Sequence, residues 1–166
     1  MNKYKIRKNV ICEIEFFNIK ESDFSIILNY DDSNIVLVEY NYFGEYDGIM
    51  ICPIRIIKNI EYNNSYLSFL KEIYEKKDYS YFNLKDNKDF IRHAFNNNKI
   101  IGISRHIDSS LKVNDIKVLR FDNNYIYYNE FDSYNHSLLK VEKKAKIDSL
   151  KLIQIDSKFQ KILEKR

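Results

Sequence analysis

The sequence predicts a mainly β protein with short helices: two tandem five-stranded small barrels joined by a helical connector. Three observations lead there. Short strand-like runs recur along the chain with turn residues between them. The same blocks return about 91 residues later. Five short strands in roughly 60 residues would also leave two exposed edges in an open sheet, and curling removes most of that problem.

The repeat is visible by eye. Leu28–Tyr40 lies on Leu119–Phe131 at a shift of 91, where Leu, Asp, Ile and Glu recur. At a shift of 93, Ile57–Ile60 meets Leu150–Ile153, and Tyr66, Phe69 and Leu70 meet Phe159, Ile162 and Leu163. Val10–Cys12 meets Ile100–Gly102 at a shift of 90. The expected division is therefore a first repeat over 1–77, a connector over 78–98 and a second repeat over 99–166.

In the first repeat, Asn9–Phe17, Phe24–Tyr30 and Asn34–Tyr40 read as strands. Asp31-Asp32-Ser33-Asn34 joins the last two as a tight turn, because Asp and Asn side chains bond nearby backbone N–H groups. Asn41–Asp47 is a polar-aromatic loop, and Gly48–Cys52 a strand that Pro53 stops. Ile57–Tyr62 is a fifth strand. Asn63–Lys77 is helical, with Asn64 or Ser65 as cap and Tyr66, Phe69, Leu70 and Ile73 as its apolar stripe. The connector carries tyrosines and a helix over Asp86–Asn98, with Phe90, Ile91, Ala94 and Phe95 on one face. The second repeat reads as strands at Lys99–Ile107, Asp115–Phe121, Tyr125–Phe131, Ser137–Val141 and Ile147–Ile155, then a helix from Asp156. The expected core is Val10, Leu28, Ile35, Leu37, Met50 and Ile60, matched by Ile101, Leu119, Ile126, Leu138 and Ile153.

Small barrels of this length are SH3-like or Sm-like. The segment from Asn41 to Tyr66, NYFGEYDGIMICPIRIIKNIEYNNSY, resembles a group of uncharacterised bacterial proteins in which an aromatic Gly-x-Tyr-Asp-Gly loop precedes a strand, an RI turn and an IEY strand. The resemblance implies tandem Sm-like or SH3-like barrels and no activity. It fades in the second repeat, where Tyr134-Asn135-His136 replaces Glu45-Tyr46-Asp47-Gly48.

Composition narrows the function. Three glycines leave no dinucleotide fingerprint, P-loop or nucleophile elbow. The abundance of Lys, Asn, Ile and Tyr reflects AT-rich codons. No apolar run reaches membrane-spanning length and no signal peptide opens the chain, so a cytoplasmic protein is expected. Two isolated cysteines, Cys12 and Cys52, suit a reducing compartment and sit in apolar strands, where a thiol is inert. Net charge is +3, with the basic excess in the second half.

Sites for chemistry are sparse. His93, His106 and His136 have no metal-ligand spacing, Asp31-Asp32 lies in a turn, and Asp86 with Asp89 opens a helix, so neither a metal nor a cofactor is expected. Lys140, Lys143, Lys144 and Lys146 form a basic cluster that could contact nucleic-acid phosphate. The strongest binding candidate is the loop containing Tyr42, Phe43, Glu45, Tyr46 and Asp47, where aromatics beside carboxylates suit a protein hot spot. The expectation is a non-catalytic binding protein with a protein partner. The alternatives are an Sm-like nucleic-acid binder and a regulatory inhibitor in a phage or defence context.

Overall fold

A computed structural model describes residues 5–17, 22–79, 83–106, 113–132 and 134–165. The first repeat contributes β1 (Ile11–Phe16), β2 (Ser22–Tyr30), β3 (Asn34–Tyr40), β4 (Tyr46–Pro53), β5 (Ile57–Glu61) and α1 (Ser65–Ile73). The connector holds α2 (Asn87–Asn96). The second repeat contributes β6 (Ile100–Ser104), β7 (Asn114–Phe121), β8 (Tyr125–Glu130), β9 (Lys143–Lys146), β10 (Leu152–Ile155) and α3 (Lys158–Leu163). Single 3₁₀ turns at Ile54–Ile56 and Ile147–Ser149 precede β5 and β10. The expected strand end at Ile107 and connector positions 80–82 lie outside the described residues.

The ten strands form one antiparallel sheet in the order β5-β1-β2-β3-β4-β10-β6-β7-β8-β9. This corrects the expectation of two separate closed barrels. The sheet is open and continuous, because the edge of the first repeat is taken by β10: Ile51 pairs with Ile153, Met50 with Gln154 and Ile49 with Ile155. Backbone groups left unpaired at one repeat's edge are satisfied by the other.

Within each half the strand order is the same, fifth-first-second-third-fourth. The duplication extends to details. The β2–β3 register slips at Leu28 and the β7–β8 register slips at Leu119, 91 residues on. Asp31 Oδ1 accepts from the N–H groups of Ser33 and Asn34, and Asp122 Oδ1 from those of Asn124 and Tyr125. Asn64 caps α1 and Ser157 caps α3, 93 residues apart. Ile11 pairs with Ile26 and Ile100 with Lys117, so β1 maps onto β6 at a shift of 89, correcting the 90 read from sequence.

Each half is curled. Strands β4 and β5 stand at opposite ends of five strands, roughly 19 Å apart in a flat sheet. Yet only Ile54–Ile56 joins them, a 3₁₀ turn that spans roughly 8 Å. The sheet must roll to bring the ends together. Ile54 N–H reaches Ser33 O at 2.9 Å, and in the second repeat Ile147 N–H reaches Asn124 O at 2.9 Å.

The two halves roll toward opposite faces. In the first, Cys12, Ile14, Ile27, Ile35, Leu37, Met50 and Cys52 form one buried cluster. The alternating residues Val36, Val38, Ile49 and Ile51 belong to a second cluster, which crosses the β4–β10 seam to Ile153, Ile103, Ile126 and Tyr128. By register, Ile126 and Tyr128 correspond to Ile35 and Leu37. Equivalent positions are thus buried on opposite sides of one sheet. Helix α2 covers the second repeat with Phe90, Ile91 and Ala94, and α1 contributes Leu67 and Leu70.

Ile35, Leu37, Met50, Ile101, Ile126 and Ile153 are buried as expected. Val10, Leu28 and Ile60 are only half-buried, and Leu119 and Leu138 are exposed. Leu28 and Leu119 occupy the two bulges, where an extra residue is displaced from the ladder. Leu138 makes only an isolated antiparallel bridge with Phe131; the fourth strand of the second repeat is Lys143–Lys146, displaced from the expected Ser137–Val141. Its one deeply buried residue is Ala145, a weak apolar signal beside Leu138, Leu139 and Val141, all exposed.

Candidate functional site

The loop between β3 and β4 is built by one side chain. Asn41 Oδ1 accepts from Phe43 N–H at 2.9 Å and Glu45 N–H at 3.1 Å, folding the chain into a tight turn. Gly44 sits at φ +74° with its backbone against Tyr74, and Glu75 N–H bonds Gly44 O at 2.8 Å. Its place in the left-handed region and the missing Cβ both explain a glycine there.

The five loop residues divide. Tyr46 is buried; its ring stacks on Tyr79 at 6.1 Å, with Lys77 Nζ 4.1 Å and Lys161 Nζ 4.6 Å from its centroid. Asp47 Oδ1 accepts from Lys158 N–H at 3.0 Å, and Glu45 pairs with Lys158 Nζ, so both hold the loop to the start of α3. That hydrogen bond from Lys158, with a second from Asn41, holds the Glu45 carboxyl below its usual range. Tyr42 and Phe43 point outward, 55% and 77% exposed.

Sequence reading missed their neighbours. The expected apolar stripe of α1 is turned: Leu67 and Leu70 are buried, while Tyr66, Phe69 and Ile73 are 37%, 52% and 45% exposed. Phe24 contacts both Tyr42 (5.5 Å, edge-on) and Tyr66 (5.0 Å), and Tyr66 contacts Phe69 at 6.1 Å. Tyr66 Oη donates to Tyr42 O. The result is one aromatic surface spanning loop and helix. Helix α3 repeats it in part: Gln160 and Leu163 are buried, Phe159 and Ile162 exposed, and His136 lies edge-on to Phe159 at 5.1 Å. The S-x-x-Q capping box Ser157–Gln160 is a readable signal for the start of α3.

The lysine cluster also divides. Lys143 pairs with Glu130. Lys144 lies 3.8 Å from the Tyr125 centroid and 5.1 Å from that of Tyr127, whose ring Arg120 approaches at 3.5 Å. The Tyr127 hydroxyl raises the pKa of Lys144. Lys140 and Lys146 are exposed. In the first repeat the positions of Tyr127 and Lys144 are Val36 and Ile51, both buried. A covered face of the first repeat has become an open cationic-aromatic face in the second.

Burial pushes the Cys12 thiol up to about 12 and the Cys52 thiol higher still. Cys12 Sγ donates to Ser25 O at 3.3 Å. Asp86 caps α2 through Asp89 N–H at 2.8 Å. Among the described residues no group of three or more His, Cys, Asp or Glu is placed to hold a metal, and no helix is long and apolar enough to cross a membrane. The chain matches no family model, no curated protein and no solved structure.

Proposed function

We propose that this chain is a non-catalytic binding protein that docks a protein partner on the surface formed by Tyr42, Phe43, Tyr66, Phe69 and Ile73. The observation that carries this reading is that Tyr42, Tyr66 and Phe69 are joined through Phe24 into one outward aromatic surface, with Phe43 and Ile73 exposed on the same loop and helix. Aromatic anchors on ordered backbone lose little entropy on binding and dominate interface energetics. Two unpaired buried thiols suit a cytoplasmic setting.

The test compares the parent chain with Phe43→Ser and Phe69→Ser as affinity baits in cell lysate, with and without nuclease. A protein retained by the parent, lost from both variants and indifferent to nuclease supports the proposal. Equal retention by parent and variants sinks it. Truncating such an anchor commonly costs about 2 kcal/mol, roughly thirtyfold in affinity.

The second reading is nucleic-acid binding on Arg120, Tyr125, Tyr127 and Lys144. It is favoured by alternating cations and rings on an uncovered sheet face. It predicts capture that nuclease abolishes and that falls steeply with salt.

A further inference from the structure

A cavity of about 540 Å³ lies between the outer face of β2–β3 and the chain leaving α1. Ile26 and Leu28 supply apolar surface, and Tyr40, Tyr74 and Tyr79 supply aromatic walls. Asn9, Lys76, Lys77 and Asp78 complete the lining. This volume falls in the range of small-molecule sites, roughly 300–1,000 Å³, and the lining is about evenly divided between polar and apolar surface, which suits a ligand that is itself part ring and part charge.

The walls are fixed. Tyr40 Oη lies 2.9 Å from Tyr79 Oη and donates to Glu75 O at 3.2 Å. The Tyr74 ring meets Tyr40 edge-on at 5.6 Å, and Tyr79 stacks on Tyr46 at 6.1 Å and 25°. The two cations differ. Lys77 is committed, 3.0 Å from Glu75 Oε1 and seated over Tyr46. Lys76 is exposed, 5.7 Å from the Tyr74 centroid, and forms no ion pair with a carboxylate among the described residues. Of the two lysines in the lining, its ammonium is the available one.

We propose that this cavity binds a small molecule combining a flat aromatic ring with one anionic group, of the size of a nucleoside monophosphate. The ring lies against the tyrosines and the aliphatic floor, where stacking and burial favour it. The anion takes Lys76, a compact charge suited to phosphate or carboxylate. The site shares no proposed contact residue with the docking surface, so each stands or falls separately.

The experiment is isothermal titration calorimetry on the full chain with adenosine 5′-monophosphate, adenosine, 2-naphthoate and inorganic phosphate. Expected is saturable one-to-one binding of the monophosphate or the naphthoate, with phosphate alone showing none; which of the two binds tells a phosphate from a carboxylate ligand. If the monophosphate binds, adenosine should be about tenfold weaker, about 1.4 kcal/mol. Lys76→Met should remove about that same tenfold from the anionic ligand. Leu28→Trp should fill the cavity and abolish binding while the β-sheet circular dichroism persists. Absence of saturable binding by both anionic aromatics overturns the proposal. So does binding that neither Lys76→Met nor Leu28→Trp alters.

Discussion

Raising the pH from about 4.5 to about 8 should weaken this fold chiefly through one carboxyl group, Glu39; Asp115, which burial also raises, adds to the decline and cancels between parent and Glu39 variant. Glu39 stands on β3 opposite Gly48 and Ser25, partly buried beside the seam between the repeats. Gln154 Nε2 of β10 donates to its Oε2 at 2.5 Å. Burial is the main force on this carboxyl and raises its pKa to about 8; Asp23 and Asp47 push the same way, and only the Gln154 hydrogen bond opposes them. The folded chain therefore keeps this proton until about pH 8, whereas the unfolded chain releases it near 4.5. Between those values the folded state binds more protons, so stability is full below 4.5 and declines as pH rises through 8. The gap from 4.5 to about 8, at about 1.4 kcal/mol per pH unit, sets a ceiling of about 5 kcal/mol. Glu39 retains some exposure, so water relieves part of the cost, and about 1–3 kcal/mol is the expected size. Glu39→Gln keeps an oxygen for Gln154 and removes the charge. Urea denaturation at pH 4.5, 6, 7.5 and 9 should show the variant gaining on the parent at each step, by about 1–3 kcal/mol at the top. Carboxyls held low by hydrogen bonds, such as Asp122 and Asp132, lose their contribution only as pH falls below the usual range, and they cancel in the difference. Parallel parent and variant profiles would refute the reasoning.

Ile35 is fully buried on β3, so Ile35→Ala should lower the unfolding free energy by about 2–5 kcal/mol in the same denaturation assay; a loss under about 0.5 kcal/mol would contradict the assigned packing. Both thiols should resist an aromatic disulfide reagent at pH 8 in the folded protein and react rapidly in urea, because burial holds them protonated; stoichiometric labelling of native protein within minutes would contradict that. Gly48 has φ +117°, and a Cβ there would come 2.7 Å from Ile155 O across the seam. Gly48→Ala should therefore cost about 2 kcal/mol or more, read as a drop in the denaturation midpoint, and an unchanged midpoint would count against the seam geometry.

What the sequence revealed depended on whether a signal was local. Turn chemistry fixed the β2–β3 hairpin, because Asp31 satisfies backbone donors two and three residues away. The unbroken apolar runs of β3 and β4 also carry their meaning openly: both faces of the first repeat are buried, whereas β8 alternates because only one face of the second repeat is. The α1 stripe misled, since Tyr66, Phe69 and Ile73 follow helical spacing as well as Leu67 and Leu70 do. Periodicity marks an apolar face without saying whether the core or a partner covers it. The exposed Tyr42 and Phe43 belonged to a loop legible as unusual, but Tyr46 in the same loop is buried by Lys77, Tyr79 and Lys161, all distant in sequence.

The merging of the halves into one sheet was hidden because edge pairing is decided by backbone groups that every residue carries. Its asymmetry, however, is written in the side chains. The edge of the first repeat that receives β10 reads Ile49-Met50-Ile51, all buried. The register-equivalent stretch of the second repeat is Glu142-Lys143-Lys144, all exposed, and Lys143 and Lys144 lie on the outermost strand of the sheet. Lysines at an edge oppose the addition of a further strand, since pairing would desolvate and crowd like charges. The same duplication thus supplies an apolar edge where one repeat must join the other and a charged edge where the sheet must stop. Freed from covering a neighbour, the outer face of the second repeat could exchange Val36 and Ile51 for Tyr127 and Lys144 without opening a core, while the first repeat had to keep both faces apolar to hold the two halves together.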